Sequence, residues 1–312
     1  MNKSVRQFVL PVLSAAIWGA AFLAQGNLSN VLPPFFINFA RSMLAVITLS
    51  VVDVCFTSVK KAQKKETKPI NKKMFIIGGT CCGLSLCVAV NLQQLGIDYG
   101  ATAGEAAFIT TLYMVLVPIF GVILKRKIGL NVWISVVFAV IGLSFICEIH
   151  TLNFSIAYLY LILAALFFAM QIMFVDYFVG YVDGIKLSCA QFLITGVLSG
   201  VISLCVEKVE TTAFKEAIFP LLYLGVCSSA IGYTLQITAQ KGTNPAVVSL
   251  LLSFESAFAL LFDVVACLFT GNKINETPMQ FLGCFLMFTA IVLCQINSFK
   301  RKKKKKEADN RP

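Results

Sequence analysis

The chain has 312 residues, 58% of them hydrophobic and 13% charged, with a mean hydropathy of +0.84. The charged share is about half that of a soluble globular chain, too little polar surface for a core of this size, which excludes a soluble enzyme, a disordered chain and a secreted disulfide scaffold. The 26 basic and 15 acidic residues, net +11, are therefore read as charge at the margins of membrane spans and not as a nucleic-acid surface.

A helix crosses the hydrocarbon with about 20 apolar residues. Ten such spans are predicted, over residues 8–26, 32–55, 74–97, 101–124, 131–149, 155–178, 187–206, 217–239, 245–269 and 278–298. Turn and charge signals separate them, among them Pro33-Pro34, Lys72-Lys73, Lys125-Arg126-Lys127, Asp183-Gly184 and Gly242-Thr243-Asn244. Span 1 follows Lys3 and Arg6 and reaches Ala20-Ala21 as a secretory signal would, but its counterpart later in the chain makes it a retained helix. Span 2 carries Arg41, about 13 Å from one end at 1.5 Å per residue. Span 3 contains Gly79-x-x-x-Gly83 and the late polar group Asn91, Gln93 and Gln94. Span 4 carries Glu105, about 6 Å inside its end, then Tyr113 and Pro118, whose missing backbone donor makes it a candidate hinge. Span 6 holds Gln171 near Phe167 and Phe168 and ends near Asp176; span 7 holds Gln191 and Gly196-x-x-x-Gly200; span 8 holds Tyr233 and Gln236. In span 9, Glu255 lies about 15 Å deep and Asp263 about 9 Å inside the far end. Asp53 and Glu148 sit at span ends, where solvent reaches them.

With the N-terminus inside, 22 of the 26 basic residues fall on the inner side, three (Lys208, Lys215, Lys273) fall outside, and Arg41 is within a span. The positive-inside rule then places both termini in the cytoplasm. The seven basic residues Lys300–Lys306 anchor the last span and suit anionic lipid headgroups. The eleven cysteines lie almost all within spans and include no C-x-x-C pair, so they are read as small packing residues; no metal and no cofactor is expected.

The chain repeats itself. At an offset of 142, QLGIDYG (Gln94–Gly100) aligns with QITAQKG (Gln236–Gly242), Gly83 with Gly225, Asn91 with Tyr233, Phe120 with Phe262 and Tyr113 with Glu255. Span 2 aligns with span 7 around Arg41 and Gln191, and span 1 with span 6 through AAIWG (Ala15–Gly19) and AALFF (Ala164–Phe168). Two five-span units are predicted, residues 1–150 and 151–299, followed by the tail 300–312. Because five is odd, the second unit enters from the opposite face. The fold class is thus all-α, ten helices as two inverted repeats, an architecture typical of secondary transporters that hold substrate near the midplane.

Trp18-Gly19 with Phe22, Arg41, the stretch Leu112-Tyr113…Val117-Pro118, Gln191 and Leu252-Ser253-Phe254-Glu255 together resemble the drug/metabolite transporter superfamily, in its EamA-type branch, over essentially residues 8–298. Two departures, Ser256 where Pro is common and Gly271-Asn272 where Gly-Glu is common, weaken any transfer of substrate identity. The resemblance implies a plasma-membrane exporter of amino acids, related metabolites or amphipathic drugs. Alternating access of the two halves would present a cavity lined by spans 1, 3, 4, 6, 8 and 9.

The intramembrane polar residues are the candidate site. Glu255 reads either as a cavity carboxylate that pairs a cationic group or carries a proton, or as a structural acceptor clamping helix to helix. Arg41 reads as a partner for a substrate carboxylate or, given its neutral mate Gln191, as a polar packing position. Asn91, Gln94, Gln171 and Gln236 must line a cavity or bond across helices. Trp18, Tyr113 and Tyr233 suit stacking, and Glu105 and Asp263 suit an outer vestibule. Enzyme chemistry lacks its motifs: His150 is the one histidine, and H-E-x-x-H, G-x-S-x-G and a P-loop are absent. A non-transporting sensor is a further minority reading. A nucleotide-sugar carrier would need several cavity cations, and Arg41 alone lies deep in a span. The partners expected are a small-molecule substrate, a coupled proton and anionic lipid headgroups at the tail, with no nucleic acid, and the chain is read as monomer or homodimer. The charge asymmetry predicts that a tag on the C-terminus stays inaccessible to impermeant label in intact cells; labelling from outside would refute it.

Overall fold

The computed structural model describes residues 3–62, 71–146, 155–209, 214–270 and 277–309; Glu148, His150 and Gly271-Asn272 lie outside them, as do the side chains of Asp263 and of the basic tail. Among the described residues every regular element is a helix, joined by short turns. Four helices form the first three spans and the start of the fourth: α1 (Lys3–Ser29), α2 (Pro34–Ala62), α3 (Lys72–Asp98) and α4 (Ala103–Thr111). Then come α5 (Tyr113–Ile123), α6 (Leu130–Ile146), α7 (Ile156–Phe178), α8 (Gly184–Val206) and α9 (Phe214–Leu222). After a π-helical segment, Tyr223–Gly232, follow α10 (Tyr233–Gln240), α11 (Pro245–Leu252), α12 (Glu255–Thr270) and α13 (Pro278–Asp309). Eight stretches are long and apolar enough to cross a membrane, and two shorter apolar helices, Leu130–Ile146 and Pro278–Cys294, occupy the predicted fifth and tenth positions.

Local chemistry starts these helices where the sequence turns polar. Asn71, Ser155, Asp183 and Asn244 each accept from a backbone N–H of the first turn, and Thr102 with Glu105 forms a capping box on α4. Gly100 (φ 101°) and Gly242 (φ 75°) close α3 and α10 in the left-handed region, the same position in each half.

Three predicted spans are not continuous α-helix. The fourth breaks at Leu112, between α4 and α5, and the ninth breaks at Ser253-Phe254, between α11 and α12. Leu112 is the repeat mate of Phe254, so the interruption recurs in both halves. Pro118 lies six residues beyond the first break, inside α5, so the discontinuity of this span is not at the proline. The eighth span widens to π geometry at Tyr223–Gly232, whereas its mate in α3 remains ordinary α-helix.

The packing follows a pseudo-twofold. α3 lies on α7 as the eighth span lies on α1; α4 and α5 reach α7 as α11 and α12 reach α1; α2 crosses α8, and α6 pairs with α13. Glycines let these crossings approach closely. A Cβ on Gly83 would stand 2.8 Å from Ile194 Cβ, and one on its mate Gly225 would stand 2.5 Å from Leu44 Cβ. Gly79 faces Ala190, while Gly196 and Gly200 face α2, so both small-residue motifs are helix contacts. At the α6–α13 crossing, a Cβ on Gly142 would meet the carbonyl oxygen of Gly283, and the reverse also holds.

Charges sit at the two ends. At the lysine-rich end, Lys186 pairs with Asp53 at 3.2 Å, Arg126 with Asp176, and Arg6 donates to the Lys241 carbonyl. At the other end the Glu207 carboxylate accepts from the backbone N–H groups of Phe35 and Phe36, at 2.8 and 2.9 Å, capping α2 from α8. The Gly283→Val variant is expected to lose about 1–3 kcal/mol by overpacking, read as a lower Tm in detergent. Gly26→Ala, where nothing stands within 4 Å, is expected to leave Tm unchanged; equal behaviour of the two variants would refute this crossing.

Candidate functional site: a charged cavity between the halves

A narrow cavity of about 40 Å³ lies where the halves meet, lined by side chains from α1, α2, α3, α4, α5, α7, the π segment, α10 and α12. Among the predicted residues, Trp18, Arg41, Tyr113, Gln171, Tyr233, Gln236 and Glu255 line it. The predicted spans all contribute, and span 2 joins them through Arg41.

Glu255 is the first residue of α12, at the break of the ninth span, and is 5% exposed. Thr111 Oγ1 donates to its Oε1 at 2.9 Å and Tyr113 OH donates to the same oxygen at 3.0 Å. Both donors flank the break of the fourth span, so the two interruptions meet through this carboxylate. α1 comes close at Gly19: a Cβ there would lie 2.8 Å from the Glu255 carbonyl oxygen. That approach sets Trp18 on the cavity wall.

Arg41 is 4% exposed. Its Nε donates to Ser229 Oγ at 3.0 Å and Nη2 donates to Ser228 Oγ at 3.2 Å. Both partners are neutral hydroxyls of the π segment, whose wider turn presents consecutive serines to one guanidinium. The carbonyls of that segment are met from α1: Trp18 Nε1 donates to Ser228 O at 3.1 Å and Ser14 Oγ to Gly232 O at 2.9 Å. Among the described residues neither Arg41 nor Glu255 has an oppositely charged side chain within salt-bridge distance. The cavity therefore holds a cation and an anion that do not neutralise each other directly.

Aromatic rings supply the remaining wall. Trp18 and Tyr233 are tilted with centroids 4.7 Å apart, Phe192 meets Tyr233 edge-on at 5.2 Å, and Phe168 meets Tyr113 at 6.4 Å. Two amide clusters border the cavity. Gln25 Nε2 donates to Gln93 and Gln94, at 3.3 and 3.2 Å, and Gln93 donates to Thr110. In the other half Gln171 donates to Gln191 at 3.1 Å and accepts from Gln236 at 3.3 Å. The Oε1 of Gln236 is buried with no hydrogen-bond partner among the described residues, which leaves it available to a polar ligand.

Three predicted residues are not on this lining. Asn91 accepts from Asn38 and donates to Ser199 at 2.8 Å, joining α2, α3 and α8. Gln94 stands behind Gln25, and Gln191 behind Gln171; both are fully buried. Glu105 is half-buried, caps α4 through Thr102 and accepts from the Tyr158 hydroxyl, which fixes α4 to α7. Gln25, Thr110, Thr111, Ser228 and Ser229 were not singled out in the sequence. Gln25 carried a readable signal, an amide inside an apolar helix; hydroxyls carry little, because they bond their own helix at small cost.

Comparison with known proteins places the chain in a family. The EamA-like transporter family model matches the chain twice, over residues 7–147 and 155–295. An uncharacterized transporter of Archaeoglobus fulgidus is 25% identical over 290 residues, covering 91% of this chain and 84% of that protein. A solved crystal structure, described only as that of a protein, superposes with a TM-score of 0.71 at 13% identity over 94% of this chain and 98% of the other, a likeness of fold alone. With both halves matched and the whole membrane body covered, the chain belongs to the EamA-like transporter family.

Proposed function

We propose that the protein is a secondary transporter, working as an exporter, for a small polar organic metabolite that carries both charges, such as an amino acid or a related compound. One observation carries this reading: Arg41 and Glu255 line one cavity, each held by neutral hydroxyls and neither paired with an opposite charge. Buried charges are costly unless compensated. A zwitterion supplies both counter-charges at once, its carboxylate to Arg41 and its ammonium to Glu255, while the amide oxygen of Gln236 accepts from the same ammonium or a side-chain donor. Trp18 and Tyr233 then cover the apolar part of the substrate.

Alternating access would follow from the two broken spans. Their halves meet at Glu255, so an occupant that takes over its bonds from Thr111 and Tyr113 releases one interrupted helix from the other. Protonation of Glu255 would weaken both bonds when no substrate is bound, by removing the charge that their acceptor carries, which is the basis for proposing proton coupling. The lone cavity cation argues against a nucleotide-sugar carrier, whose phosphates need more positive charge; a cationic drug would leave Arg41 facing a like charge. The positive-inside count supports cytoplasmic termini in the cell membrane.

Counterflow in liposomes tests the reading. Glu255→Gln and Arg41→Gln are each expected to slow counterflow of a zwitterionic amino acid by about 10–100-fold, the loss of one charge-assisted contact. Tyr113→Phe, which keeps the carboxylate, is expected to cost only a few-fold. Folded, inserted Glu255→Gln and Arg41→Gln proteins that transport at the parent rate at every pH would overturn the proposal.

A further inference from the structure

A second cavity lies away from the transport site. It is a groove of about 530 Å³ on the membrane-facing flank where α2 and α3 of the first half meet α8 of the second. Its rim is the Asp53–Lys186 ion pair, Oδ2 to Nζ 3.2 Å, with the two side chains 30% and 31% exposed. From Lys186 the groove runs down α8 to Leu193 and Ile194, about 12 Å further at 1.5 Å per residue. Gly79 of α3 forms its floor, where a Cβ would stand 2.9 Å from Ala190 Cβ, and Thr80 lies exposed at its side. The small floor residues keep the trough deep, and Leu193, 48% exposed, forms an open wall. The shape is polar at the lysine-rich end and apolar below, the profile of one phospholipid entering from that leaflet.

The rim chemistry narrows the occupant. Lys186 is a point cation suited to a phosphate. Asp53 is an acceptor-only carboxylate suited to a primary ammonium, which brings three donors. Exposed Lys72 and Lys73 lie one turn before the lining residues Phe75 and Ile76 on α3 and add positive charge to that end of the helix. A phosphate and an ammonium joined by a two-carbon link satisfy both rim groups. A quaternary ammonium has no N–H to give Asp53, and a glycerol headgroup has no cation.

We propose that this groove is a binding site for a zwitterionic aminophospholipid, with its phosphate on Lys186, its primary ammonium on Asp53 and one acyl chain along α8. The bound lipid bridges both halves of the molecule at the seam between α2, α3 and α8.

Native mass spectrometry of the full chain in detergent, titrated separately with palmitoyl-oleoyl phosphatidylethanolamine, phosphatidylcholine and phosphatidylglycerol, tests the site. The ethanolamine lipid is expected to bind about tenfold more tightly than the choline lipid, one charge-assisted contact's worth, and more tightly than the glycerol lipid. Asp53→Asn is expected to erase the preference for ethanolamine over choline. Leu193→Trp, which leaves the ion pair intact and fills the trough, is expected to weaken all three lipids, with circular dichroism reporting an unchanged fold. Equal affinity for the ethanolamine and choline lipids, preference for the glycerol lipid, or a preference that survives both substitutions would overturn the proposal.

Discussion

Hydrocarbon offers no hydrogen-bond partner, so a polar group carried into it is met by the protein or by a wet cavity, and failure costs several kcal/mol. The interior of this chain is arranged around that constraint. Asn91 is satisfied between α2, α3 and α8, and the glutamines of each half bond mainly to one another. On the cavity wall, the Gln236 Oε1 has no partner among the described residues, and Arg41 and Glu255 are held by neutral hydroxyls alone. The candidate site is where these three meet.

The same constraint gives the backbone interruptions their place. Breaking a helix in a membrane frees carbonyls and N–H groups, which is tolerable only inside protein or along a cavity. Both breaks lie at the molecular centre and are joined by the Thr111–Glu255 and Tyr113–Glu255 bonds. The π segment has a similar logic: its carbonyls at Ser228 and Gly232 accept from Trp18 and Ser14, so α1 meets the wider turn while that turn holds Arg41.

Much of this was legible before any coordinates. Apolar runs of about twenty residues and their Pro, Gly and charge punctuation marked the spans, and the recurrence of Gln94–Gly100 in Gln236–Gly242 revealed the repeat. The breaks were not legible, because neither Leu112 nor Ser253-Phe254 is a helix breaker by type; Pro118 drew attention instead and sits in unbroken helix. Tertiary partners, not local propensity, decide where these spans are interrupted. Residue type also told that Asn91, Gln94 and Gln191 needed partners, but not whether a helix or a cavity supplies them. Gln25 lay too close to the predicted end of span 1 to be counted as buried, and α1 continues to Ser29.

Tyr113 and Glu255 occupy equivalent places in the two halves, as do Arg41 and Gln191. Were the halves identical, the pseudo-axis would bring glutamate against glutamate, or tyrosine against tyrosine, at the contact that Tyr113 and Glu255 now make. Like charges at that depth repel strongly, and an all-neutral pair cannot tell one end of a polar molecule from the other. On the proposed reading, the difference between the halves is what gives the cavity a direction, with Arg41 supplied by the first half and Glu255 by the second. A protein built as a strict homodimer of either half would keep the scaffold and lose that polarity.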